Sequence, residues 1–542
     1  MRLSYDNIYK EKAFWDERNI IVPNYDTKVI KGNTRKNPQW LHFGGGNIFR
    51  GYIACLADTL IEEGIMDTGI IATDSFDDEI FEKVYQPYDN LALLVGLRRS
   101  GEKYLRVIGS VVGAVSAVGE KQKDLAEIAV KPSLQMISFT ITEKGYAIRG
   151  LDRGILPMVE EDIKAGPQNI QLSAMGVVTS LLYKRFKNGM LPIALVSMDN
   201  CSENGKKLQE AVMFIAEEWK KLGFVEDEFI TYLSDKSKVS FPWSMIDKIT
   251  PRPDPEITKE LSEMGIEDMD PVLTSRKTFI APFVNAEMPQ YLVIEDDFPN
   301  GRPDLAKAGI YLTDRETVNR VERMKVMTCL NPLHTALAIF GCLLGFKKIS
   351  DEMKDVDLRM MVERLGVKEG LPVVTNPGII DPKKFLDEVM TERLPNSFLP
   401  DTPQRIATDT SQKVSIRFGE TIKVYDEKGR TGELKVIPLV IAAWLRYLIA
   451  VDDFGEVMEL SSDPMLNELR RRLSGIKIGT DIFAEENFGL LSNVREILGN
   501  SKLFGVDLVA NGMNELIEER FNYMIGNIGR VRSALHETVI MK

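Results

Sequence analysis

At 542 residues the chain is too long for one ordinary core, so at least two domains are expected. Apolar content of 44% and charged content of 27% are those of a soluble globular protein. A net charge of −12 argues against nucleic acid or an anionic membrane as partner. The N-terminus MRLSYDNIYKEKAF has no apolar core and no cleavage pattern, and residues 1–38, polar and mixed, are expected to drape over the first domain. Residues 40–43 then read as a short buried strand, Gly44-Gly45-Gly46 as a turn and 47–63 as a helix. Strand, glycine turn and helix together set a pyrophosphate on a helix N-terminus. Gly44 and Gly46 let the backbone approach the phosphates, and Phe49 stands where a third glycine is usual.

A second strand at 69–73 ends at Asp74. An acid there hydrogen-bonds the adenosine ribose hydroxyls and repels a 2′-phosphate. Asp74 also reads as a cap for the helix DDEIFEKVY, and the two roles are compatible. Residues 91–97 and 104–112 read as paired strands around Arg99-Ser100-Gly101. A strand at 135–142 leads into Thr-Glu-Lys-Gly-Tyr, and a long helix at 171–187 precedes a strand at 192–198. That strand delivers Asp199-Asn200 at its C-terminal end, where open α/β sheets place ligands, and a helix follows at 204–222. Residues 239–253, with prolines near both ends, read as an irregular crossing segment, and 279–295 as strands.

Beyond residue 312 helical periodicity dominates, at 313–345, 351–365, 382–392, 435–452, 463–474, 487–499 and 508–526. The expected fold class is α/β: a Rossmann-type, mostly parallel sheet domain over 1–312, followed by a mainly α-helical domain over 313–542. In the run 313–345, Thr313 and Glu316 make a capping-box pattern. Glu322 and Lys325, three apart, share a helix face. Pro332 stops that helix and starts a second one, with Asn331 as its cap and an end near Gly345. Lys325, Asn331 and His334 thus gather at a helix break, whose unpaired backbone groups and positive dipole end suit a developing oxyanion. A kinked core helix with a surface lysine is the plainer alternative.

Cys55, Cys201, Cys329 and Cys342 show no paired metal spacing and are expected to be buried free thiols. With three histidines, His42, His334 and His536, and no HExxH or Cys/His cluster, no metal is expected. No uncharged run of membrane-spanning length and hydrophobicity is expected, and a reducing cytoplasm is the expected compartment.

Taken in order, HFGGGNIFRG, TEKGY at 142–146, SMDN at 197–200 with the NG after it, and FPWSMIDKITP at 241–251 resemble signatures of the mannitol dehydrogenase family, the polyol-specific long-chain dehydrogenases. So do EDDFPNGRP at 295–303, ExxK followed by LNPLH across 322–334, and RIATDTSQK at 405–413. The resemblance covers most of the chain. It implies an NAD-dependent, metal-independent oxidoreductase acting on a small-molecule sugar acid or ketose, with no nucleic-acid or membrane partner, as a monomer or small homo-oligomer. It implies that Lys325 is the catalytic acid/base and Glu322 its proton relay. Asn200, Asn331 and His334 complete the implied catalytic set, and Arg405, Lys413 and Asp247 the implied substrate contacts. The implied cofactor contacts are Phe43, Gly44, Gly45, Gly46, Asn47, Ile48, Phe49 and Arg50, with Asp74, Thr142 and Glu143. Two features depart from the family pattern: Lys325 and Asn331 are six apart rather than five, and Pro332 replaces a glycine. Within the family, residues 76–95 most resemble the fructuronate reductases, also called mannonate oxidoreductases; mannitol 2-dehydrogenases and tagaturonate reductases are near neighbours. A nucleotide-binding regulatory protein that kept the fold and lost turnover is the reading from a different class.

Overall fold

Short runs of apolar and β-branched residues build a parallel sheet of six strands: β1 Trp40–Phe43, β2 Ile70–Asp74, β3 Val111–Ser116, β4 Met136–Phe139, β5 Ile193–Ser197 and β6 Val239–Ser240. Their order across the sheet is β3-β2-β1-β4-β5-β6. All of β1, β4 and β5 is buried, as expected of parallel strands covered on both faces. The order reverses between β1 and β4, the topological switch point where such sheets bind ligands. One face packs Leu41, Phe43 and Phe139 against α2 Ala174–Lys187 and α3 Asn204–Lys221. The other packs Trp40, Ile70 and Val196 with Phe49, Ile53 and Leu60, at and just before α1 Ala54–Glu62.

The computed structural model describes residues 1–150 and 153–540, which form two compact units, Met1–Asn319 and Arg320–Lys542. Several sequence expectations for the first unit need correction. Residues 1–38 do not merely drape: they hold helices Tyr5–Lys10, Lys12–Asp16 and Thr27–Lys36, the first and last capped by Ser4 and Asp26. The reading of 104–112 as one strand merges two. Lys103–Ile108 pairs antiparallel with Ala92–Leu97 in a separate four-stranded sheet, and Gly109-Ser110 break the run before β3 begins at Val111. Part of 239–253 is regular, since Ser244–Asp247 pairs antiparallel with Tyr291–Glu295. Thr313 does not cap the helix after it. It ends the strand Tyr311–Thr313, and Asp314 accepts the Thr317 N–H at 2.9 Å, so the helix begins at Arg315.

In the second unit, α4 Asn331–Leu343 and α5 Val436–Tyr447 are mostly apolar and largely buried. Helices at Glu420–Glu427 and Arg530–Ile540 lie outside the expected ranges. The first follows a π-helical turn, Ser415–Gly419, whose wider winding breaks the periodicity that sequence reading relies on. Of the four cysteines, Cys329 and Cys342 are buried, and Cys55 and Cys201 are partly exposed. The expectation of no membrane-length apolar run is also corrected. The helical run Arg315–Leu343 passes that test by length and composition, with mean hydropathy 1.5 over 18 residues, and 78% of that stretch is buried inside the protein.

Candidate active site

The glycine loop leaves β1 beside the ends of its two neighbours. The Gly44 N–H donates to Thr73 O at 2.8 Å and the Thr140 N–H to Phe43 O at 2.9 Å. Gly44 has φ +108°, and a Cβ there would lie 2.3 Å from Thr140 O, so only glycine fits. Gly46 differs: a Cβ there would meet nothing within 4 Å. Nothing in the protein demands glycine at 46, and the open space beside it is the cradle a diphosphate needs. A dinucleotide therefore fits the loop. Gly46→Val is expected to leave thermal stability unchanged while weakening NADH binding about tenfold or more, read by quenching titration.

Asp74 ends β2 and fastens the turn after it, rather than capping the next helix, which begins at Glu79. Its carboxylate accepts the Gly45 N–H at 3.1 Å and the Phe76 and Asp77 N–H groups at 2.8 and 2.9 Å. Burial raises its pKa, and those three amides oppose the rise. Asp77 and Asp78, the neighbouring acids, are engaged by the hydroxyls of Thr274 and Ser116, each at 2.6 Å. Phe43 and Phe49 turn their rings into the core. Phe49 stacks on His42 at 4.1 Å between centroids, filling the place of the third glycine. Arg50 is buried too, donating to Ala281 O at 2.7 Å and to Asn47 Oδ1 at 2.9 Å, so it braces Asn47 from below. Gly46, Asn47 and Ile48 are the part of the loop that stays accessible.

His42 bonds the hydroxyls of Ser138 (2.6 Å) and Thr140 (2.8 Å), and burial pushes its pKa down to about 3. Its folded pKa lies below the unfolded value of about 6.5, so its contribution is complete above pH 6.5 and is lost as pH falls toward 3. By pH 4.5 the loss is on the order of 3 kcal/mol. His42→Gln is expected to flatten the stability difference between pH 7 and 4.5 in urea unfolding.

At the ends of β4 and β5, Asp199 accepts the Ile141 and Thr142 N–H groups at 3.0 and 2.8 Å and the Tyr146 hydroxyl at 2.6 Å. It holds Thr142 at φ +64°, a conformation that costs free energy and gathers at functional loops. Glu143, exposed, pairs with Lys207. Asn200 follows Asp199 and is exposed. Asn204, which the sequence reading placed only in a signature, ties this turn to the strand that ends at the buried Asp247. Its Nδ2 donates to Asp199 O and Ser244 O, both at 3.0 Å.

The second unit brings Lys325, Asn331 and His334 into one helical run. Glu322, half-buried, sits in the last turn of the helix Arg315–Arg323. Lys325 is buried in the π-helical turn Met324–Cys329. That turn closes with the Leu330 N–H on Lys325 O at 3.1 Å, an i→i+5 bond that absorbs the extra residue between Lys325 and Asn331. Asn331 is not the cap: Leu330 holds that position without a side-chain bond, and Asn331 and Pro332 begin α4. The Asn331 side chain is therefore not spent on capping.

His334 Nε2 lies 3.8 Å from Asp401 Oδ2, and Asp401 Oδ1 accepts a hydrogen bond from Arg405. Burial chiefly pushes the His334 pKa down to about 4, with Asp401 opposing and Arg393, Arg417 and Arg405 adding to the fall. Arg405 is thus already ion-paired, with its side chain 61% exposed, and Lys413 donates to Thr408 O. Sequence reasoning missed Asp401 and Arg417. Arg417 donates to Thr335 Oγ1 at 2.5 Å, and no spacing along the chain announces a contact between residues so far apart.

A parallel sheet of this strand order, with a glycine turn after its first strand and an acid closing its second, defines a dinucleotide-binding domain. Residues 38–307 match the Mannitol dehydrogenase Rossmann domain, and residues 317–522 the Mannitol dehydrogenase C-terminal domain. The chain is 52% identical to the D-mannonate oxidoreductase of Thermotoga maritima over 99% of each chain. It is 29% identical to the Polyol:NADP oxidoreductase of Gluconobacter oxydans over 84% of this chain and 88% of that one. The fold is also that of a Pseudomonas fluorescens mannitol 2-dehydrogenase solved with NAD and D-mannitol, with TM-score 0.70, 23% identity and 99% of each chain covered. The chain belongs to the mannitol dehydrogenase family.

Proposed function

We propose that this protein interconverts D-fructuronate and D-mannonate with NAD(H) as cofactor. The observation that carries the proposal is the 52% identity, over 99% of both chains, to a D-mannonate oxidoreductase. The Gly44–Gly46 loop with Asn47 and Ile48 holds the diphosphate, Asp74 takes the ribose hydroxyls, and Thr142 and Glu143 border the same loop end. When bound, NAD(H) supplies the hydride chemistry. The chain's own residues manage charge and protons. Lys325 gives a proton to the ketone oxygen as its negative charge develops, and takes it back in the oxidation direction. Asn200 and Asn331 donate amide hydrogen bonds to that oxygen. Held neutral by burial, His334 is free to orient the substrate by hydrogen bonding, and Glu322 relays protons from Lys325 to water. Asp247, Arg405 and Lys413 contact the substrate's remaining polar groups.

Absorbance at the NADH band, with D-fructuronate, D-tagaturonate and D-fructose, tests the reading. The expected order of kcat/KM puts D-fructuronate first, with NADH preferred over NADPH because Asp74 repels a 2′-phosphate. A higher kcat/KM for D-fructose would overturn the substrate assignment. A preference for NADPH would move the ribose contact away from Asp74.

A further inference from the structure

The second unit gathers Asp401, Arg393, Arg405 and Arg417 around His334. Asp401 is engaged with Arg405, and the Lys413 ammonium is turned onto Thr408 O. Arg417 sits in the π-helical turn Ser415–Gly419, which packs against both the Lys325 turn and α4. Its guanidinium makes one hydrogen bond, to Thr335 Oγ1, whose own hydroxyl donates to Asn331 O at 3.1 Å. Among the described residues no carboxylate pairs with it. Burial alone holds its pKa down to about 10. A desolvated cation without an anion costs free energy, and the protein retains it against Thr335, the residue after His334.

We propose that Arg417, rather than Arg405, binds the carboxylate of the substrate, making the N-terminal end of α4 a carboxylate subsite. The inference rests on the sugar-acid reading above and deepens it. Thr335 fixes one arm of the guanidinium, leaving the rest of the planar fork to donate two parallel hydrogen bonds to a carboxylate. A neutral ketose has no group to use that fork, so the subsite distinguishes sugar acids from sugars. Arg405 holds Asp401 beside His334 and serves the polar groups that sugar acids and neutral sugars share.

Steady-state kinetics of the full chain with NADH, on D-fructuronate and D-fructose, tests the assignment. Arg417→Gln is expected to raise KM for D-fructuronate by about 10- to 100-fold, the range for a lost hydrogen bond to a charged group, with KM for D-fructose moving less than about threefold. Arg405→Gln is expected to affect both substrates alike. Arg417→Ala with added guanidinium chloride provides a second arm: recovery of D-fructuronate turnover, with NADH binding unchanged throughout, supports the subsite even where Arg417→Gln is poorly folded. If wild type prefers D-fructuronate but Arg417→Gln shifts both substrates equally, or Arg405→Gln alone gives the selective loss, the assignment falls by itself. A wild type that prefers D-fructose overturns the substrate reading and this subsite with it.

Discussion

Lys325→Ala is expected to lower turnover of D-fructuronate by about 10²-fold or more while leaving NADH affinity unchanged. Hydride addition to a ketone leaves negative charge on oxygen that a proton must neutralise. On the proposed mechanism Lys325 is the residue of this helical run that gives it. It is buried, so water does not freely replace it, and it sits in a π-helical turn, a distortion that recurs at functional sites. Glu322 stands three residues earlier, in the regular helix, and on the proposed mechanism is the route by which the neutral amine left by proton donation is reprotonated. Turnover and NADH titration of the purified variant decide the matter. Near-normal turnover would return Lys325 to the role of a core lysine, and an equal loss of NADH binding would point to misfolding rather than chemistry.

Asn331→Ala is expected to raise the barrier by roughly 3 kcal/mol, about 10²-fold in kcat, the cost of removing one preorganised donor to an oxyanion. The structure makes this a clean measurement. A capping asparagine loses helix stability on truncation, by about 1 kcal/mol, which would blur the reading. Here Leu330 occupies the cap and Asn331 is the first helical residue, so the thermal midpoint should hold while kcat falls. The reverse pattern, lost stability with unchanged turnover, would show that Asn331 supports the helix start and nothing more.

Much of the first unit was legible in the sequence because its signals are local. A buried strand, three glycines and a helix announce a phosphate loop over a few residues, and an acid closing the next strand completes it. The run from Glu322 to His334 was legible for the same reason: a break at Pro332 gathers side chains within one stretch of chain. Periodicity failed where the winding changes. The turns Met324–Cys329 and Ser415–Gly419 are π-helical, and a 3.6-residue pattern has no way to register them. Failing there, it left the cap assigned to Asn331 instead of Leu330.

What the sequence by itself determined is the class of fold and the glycine loop, since each depends on neighbours in the chain. Only the tertiary structure decided which cations are already neutralised. That Asp401, engaged with Arg405, stands beside His334, and that Arg417 rests on Thr335 with no acid of its own among the described residues, are contacts between segments well apart in the chain. A charge's availability depends on what folding places beside it, and pairing falls off steeply with distance in space, not in sequence.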